Sequence, residues 1–153
     1  MKYASLILVL VAGLGVGTVA GWKYGTVRAR HNCTFFLESM VTTEIIMQER
    51  AAGEAYRTQP SEVAAWALEQ LLKTYQRYEN APEARPGERA QRQAMAAGIA
   101  HGRLARLYAA LNQPDRAALH LQQALEATGC ADAEQLHQRL DALDQAETRT
   151  AAE

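Results

Sequence analysis

Proline is absent from the first 59 residues of this 153-residue chain. Pro60 is therefore the first position at which backbone chemistry forbids a helix from continuing. Cysteine is nearly absent too, with only Cys33 and Cys130. A disulfide between them and a pair of free, buried thiols both stay open, because sequence separation fixes no distance. The four histidines, His31, His101, His120 and His137, form no i, i+4 pair with one another or with a cysteine. That excludes a metal site written in local spacing, and no metal ligand is assigned. There is no Gly-x-Ser-x-Gly, and no glycine-rich phosphate loop lies outside the apolar N-terminal run. Acidic residues are scattered over polar helical faces without a catalytic pair. No catalytic residue, cofactor-binding residue or cofactor is assigned, and the expectation is a binding protein with no small-molecule substrate.

What the chain does have is a long uncharged run at its start, Tyr3 to Trp22. About twenty apolar residues span roughly 30 Å as a helix, the thickness of a bilayer's hydrocarbon core. Tyr3, Trp22 and Tyr24 stand at its ends, where aromatic rings favour the membrane interface. Gly13, Gly17, Gly21 and Gly25 recur at every fourth position, and Ala29 continues them. Such a ridge lets a second helix approach closely in lipid, so these four glycines are the candidate transmembrane packing residues. The rival reading is a signal peptide, with Lys2 as its basic start and cleavage after Ala20. Basic flanks on both sides leave the orientation open: the positive-inside rule puts the C-terminal domain in the cytoplasm, and a short Lys2 leader favours the periplasmic side.

Charge separates the two parts of the chain. Residues 1–30 carry Lys2, Lys23, Arg28 and Arg30 and no acid; the other 12 basic residues face all 17 acidic ones, leaving −5. A mildly acidic remainder speaks against a nucleic-acid partner. The predicted organisation is an anchor with its basic flank over 1–30, an α-helical domain over 31–148, and a disordered tail over 149–153.

Helical periodicity fills that domain. A break is expected near His31-Asn32, with Asn32 capping a helix that ends near Arg57. Phe35 and Phe36 in it are expected to be core. Val63, Ala64, Ala67, Leu68, Leu71, Leu72 and Tyr75 recur at helical spacing after Pro60. Residues 80–87, with two prolines and a glycine, read as a loop. From Glu88 to Leu111, Ala97, Ala100, Leu104, Leu107, Tyr108 and Leu111 share one face. Ala94, Gly98, Gly102 and Ala105 form a second, small-residue face against which a neighbour can pack tightly. Asn112 to Asp115 is a short turn, the next helix stops at Thr128-Gly129, and a last one starts at Asp132 as N-cap and runs to about Ala146. Arg85, Arg89, Arg92, Arg103 and Arg106 fall on a narrow arc. They are a candidate stripe for an anion or an acidic partner, or else a face paired with acids on neighbouring helices.

Leu104, Ala105 and Tyr108, then a turn, then Ala117, Leu121, Ala124 and Leu125 resemble one tetratricopeptide repeat in order and spacing. Asn112 stands where the family has glycine, His101 where it often has tryptophan, and Gly129 near its closing proline. Ala64, Leu68, Leu71 and Leu72 follow the second-helix rhythm of a weaker repeat. The resemblance implies a curved stack of helical hairpins that binds peptides or protein segments, closed by the Asp132–Ala146 helix.

The expected fold is therefore all-α: one transmembrane helix followed by a tetratricopeptide-like stack of about five helices. The expected function is a scaffold or accessory subunit in a bacterial inner membrane, its domain on the periplasmic side. Its partners would be lipid and other membrane-protein subunits or a second copy of itself. The alternatives are a periplasmic binding module released by cleavage, and a self-associating membrane protein.

Overall fold

A computed structural model describes the backbone of residues 2–79 and 88–152, with side chains at 23, 25–29, 33, 35–78 and 91–150. All secondary structure in the described residues is helical: α1 (Lys2–Thr58), α2 (Ser61–Glu79), α3 (Glu88–Ala110), α4 (Pro114–Thr128) and α5 (Ala133–Ala152). The chain divides into two units, residues 1–41 and 42–153. The first unit consists of the N-terminal part of α1. Among the described residues no helix is long and apolar enough to cross a membrane. The Tyr3–Trp22 run, with Gly13, Gly17 and Gly21, lies outside the residues whose surroundings are described. Gly25 lies within them, and no atom stands within 4 Å of where its Cβ would be.

Two expectations about α1 are corrected. The helix does not break at His31-Asn32; it is assigned without interruption to Thr58, since nothing in this proline-free stretch forbids the next turn. Phe35 and Phe36 are not core residues but are 71% and 63% exposed. Cys33 is an exposed free thiol, and Cys130 is free as well. α1 ends where the sequence requires it. Thr58 Oγ1 donates back to the Glu54 carbonyl, and Gln59 N–H to that of Ala55, at 2.9 Å each, before Pro60 withholds its N–H.

In the second unit the core joins Ala52 of α1, Ala65, Leu68, Leu71, Leu72 and Tyr75 of α2, and Ala100, Leu104 and Tyr108 of α3. Polar clasps run beside it: Tyr75 donates to Glu49 (2.6 Å) and Tyr78 to Glu44. Burial and the Glu49 carboxylate push the Tyr75 hydroxyl well above the ordinary tyrosine range. A second, smaller core is built from Ala124 of α4 and Leu136 and Leu140 of α5, with Ile99, Leu121, Leu125 and Cys130 around it. Val63, by contrast, points out and is 46% exposed.

The helix ends follow their sequence signals. α3 closes in a Schellman motif: Gln113 N–H donates to Tyr108 O (2.9 Å) and Asn112 N–H to Ala109 O (3.2 Å). Asn112 sits at φ 57°, a left-handed conformation that asparagine tolerates better than most residues. α4 begins at Pro114 and ends in an αL cap at Gly129, φ 68°, whose N–H reaches Leu125 O. Asp132 caps α5 by accepting from Gln135 N–H (2.8 Å), while Gln135 Oε1 accepts from Ala131 N–H (2.7 Å), a variant of the capping box. α5 then continues past Ala146 to Ala152.

α3 touches α2, α4 and α5. Its small-residue face makes this possible. A Cβ at Gly98 would stand 2.7 Å from Thr128 Cγ2 and 3.0 Å from the Ala127 Cβ of α4; one at Gly102 would stand 3.0 Å from Leu140 Cδ1 of α5. Gly98→Ala is therefore expected to destabilise by about 1–2 kcal/mol, overpacking outweighing the gain in helix propensity. Gly53→Ala has only the flexible tip of Arg57 nearby, at 3.7 Å, and should gain up to about 1 kcal/mol. Urea titration of the two variants checks the opposite signs.

Candidate binding groove

One concave site stands out in the second unit. It is a cavity of about 440 Å³ between the C-terminal part of α1, α2, α3 and the end of α5, within the size range of small-ligand and side-chain pockets. Its apolar lining comes from Ile46, Leu68, Leu71, Ala96, Ile99 and Ala100, and its charges from Glu49, Arg50, Arg57, Arg103 and Glu147. The small residues Ala96, Ala100 and Gly53 leave the space, because each stops at or before Cβ where a larger side chain would fill the gap.

The electrostatics of this groove centre on Arg103, which is only 6% exposed. Its guanidinium donates to Asp144 (2.6 Å) and Glu147 (2.9 Å) of α5 and lies 4.9 Å from the centroid of the Tyr56 ring. Burial works against the charge, but the hydrogen bonds to Glu147 and Asp144 outweigh it and hold this group above the usual arginine range. Its Nε is buried and has no hydrogen-bond partner among the described residues. A buried donor left without an acceptor is costly to the fold. Arg57 pairs with Glu147 at 2.7 Å. Arg50 lines the same groove, is exposed, and makes no ion pair among the described residues. The groove thus offers an apolar floor and one exposed cation, Arg50. It suits a segment with apolar side chains and an acidic group.

The predicted arginine stripe divides. Arg103 and Arg106 both face α5, where Arg106 pairs with Asp141 (2.8 Å) and Asp144 (3.5 Å) and donates to the His137 carbonyl. Their charges are already matched by neighbouring carboxylates. Arg92 is exposed. Arg85 lies outside the described residues, as does the side chain of Arg89. The structure therefore brings Arg103 and Arg106, both on α3, together against the acids of α5.

A second polar cluster, at the α2–α3–α4 junction, is not announced by any local spacing. His101 and His120 face each other with Nδ1 atoms 2.9 Å apart, so one ring donates to the other. His120 also stacks on Tyr108, with ring centroids 5.5 Å apart, and Arg116 sits 4.0 Å above that tyrosine ring. Glu69 accepts from both the Tyr108 hydroxyl and Arg116 (2.6 Å). Burial and Glu69 push the Tyr108 hydroxyl up to about 12. The available signal was symmetry: the two histidines lie on antiparallel helices at similar distances from the turn at Asn112. Among the described residues no group of three or more His, Cys, Asp or Glu could hold a metal ion.

Burial and the neighbouring His120 push His101 down to about 4; burial lowers His120 as well, with Glu69 opposing and Arg116 assisting. A histidine whose folded value is depressed stabilises the fold above its ordinary value of 6.5. That contribution is lost as pH falls from 6.5 through about 4. The melting temperature is expected to drop over this window, and His101→Leu should flatten that part of the curve. Thermal melts of both proteins at matched ionic strength check this.

No protein-family model, curated protein or solved structure matches this chain.

Proposed function

We propose that this chain is a membrane-anchored scaffold or accessory subunit, which holds a segment of another protein in the groove between α1, α2, α3 and α5. The observation that carries the reading is the groove itself: an apolar floor beside Arg50, which is exposed and makes no ion pair among the described residues. A concave, largely apolar pocket with a few convergent polar groups is the default place to look for a binding site. The α3–α4 hairpin supports the tetratricopeptide-like part of the reading, through its Schellman turn and the close approach at Gly98.

The anchor part rests on the sequence. An uncharged run from Tyr3 to Trp22 with aromatic ends and a four-residue glycine period suits a retained inner-membrane helix. The helical domain then lies on the periplasmic side, and membrane lipid and other membrane-protein subunits are its partners.

The test has two arms. After a carbonate wash the full chain should stay with the membrane fraction; release into the supernatant would favour the module cleaved after Ala20. Co-purification in mild detergent, read by mass spectrometry, should recover one partner set. Arg50→Glu should deplete that set several-fold without lowering the melting temperature, since this side chain makes no ion pair among the described residues. Gly17→Leu with Gly21→Leu should weaken it through the membrane helix. Recovery unchanged by all three substitutions would refute the reading.

A further inference from the structure

α5 is held in two different ways along its length. Its first half is held by apolar packing: Leu136 and Leu140 are fully buried, in one cluster with Ala124, Leu121 and Leu125 of α4. From 141 to 150 no residue is buried, and Leu143, the largest apolar side chain there, is only half-buried. The described ties between this second half and other helices are ionic. Arg106 pairs with Asp141 (2.8 Å) and Asp144 (3.5 Å), Arg103 with Asp144 (2.6 Å) and Glu147 (2.9 Å), and Arg57 with Glu147 (2.7 Å). The three acids stand at every third position of α5. The arginines that meet them come from α1 and α3.

The two halves answer to different conditions. Burial of apolar surface leaves no charge for salt to screen. Ion pairs with exposed members are individually weak and are screened, and the Asp141 and Glu147 side chains are 61% and 38% exposed. What keeps the second half in place is that its pairs share members and act as a network. Two of the arginines, Arg57 and Arg103, also line the groove, as does Glu147. The carboxylates of α5 therefore sit on cations that the acids of an entering segment would otherwise meet.

We propose that residues 141–152 of α5 are a charge-held latch: they move off α1 and α3 while Leu136 and Leu140 stay packed, and an acidic segment displaces them from Arg57, Arg103 and Arg106. Opening puts water or the incoming carboxylates in the place of Asp144 and Glu147, so Arg103 is not left both buried and unpaired. The latch does not rest on the groove's being filled in the cell, because its opening is a property of the chain alone.

Hydrogen exchange of the full chain in a non-ionic detergent, read by mass spectrometry, tests this. Raising NaCl from about 0.1 M to about 1 M shortens the reach of a charge from about 10 Å to about 3 Å. Exchange over 141–152 should then speed several-fold while 134–140 stays unchanged. Arg106→Gln should speed 141–152 already at low salt and shrink its salt response. Arg116→Gln, whose ion pair is with Glu69 at another junction, should do neither. A soluble oligoglutamate peptide should speed 141–152 beyond NaCl at the same ionic strength. A C-terminal end that merely frays exchanges fast at both salt levels and ignores Arg106→Gln; that result overturns the proposal. So does equal acceleration of 134–140, which marks loosening of the whole helix, and so does an oligoglutamate effect no larger than that of NaCl. Loss of every partner in co-purification would leave these readouts unmoved, so the scaffold reading and the latch fail separately.

Discussion

The second unit depends on one constraint, the bare face of α3. At Gly98 and Gly102 the helix presents backbone where other residues would present side chains, and α4 and α5 come into the space. Tight packing of this kind tolerates no added volume, because protein interiors leave few voids and relax only partly. The opposite face of α3, through Ala100, Leu104 and Tyr108, packs on α2. One helix therefore organises both cores. It also sets the positions of Arg103 and Ile99 in the groove and of His101 at the polar junction.

The groove is a consequence of that constraint. α5 brings Asp144 and Glu147 up to Arg103, which fixes a buried cation on the groove wall. Charge matching inside the protein uses the ends of the guanidinium and leaves Nε without an acceptor. Pairs of this kind add little net stability relative to apolar packing, but they fix geometry. The residues that stabilise the α3–α5 contact thus also form part of the groove wall.

Much of this architecture was legible in the sequence. The turn at Asn112, the start at Pro114, the stop at Gly129 and the Asp132 cap are local chemistry, and each stands where its residue type demands. The small-residue face of α3 was legible for the same reason, as a helical period of four. What could not be read was anything set by tertiary packing. Phe35 and Phe36 look like core residues by hydropathy but are exposed. Arg103 looks like a surface cation and is buried, because its acids come from a helix some forty residues further on. The groove draws on α1, α2, α3 and α5, so no single segment carries its signature; Glu49 and Arg50 read only as the point where an apolar stretch turned polar.

The central claim is that the groove holds a segment of another protein. A photoreactive side chain placed at Ile46, on the groove lining, tests it most directly in the full chain within native membranes. Irradiation should join it to one partner polypeptide, and the adduct should fade with Arg50→Glu. The same probe at exposed Arg139 on α5 should give no such adduct. Equal adducts from both positions, or adducts from Ile46 that reach only the chain itself, would contradict the claim.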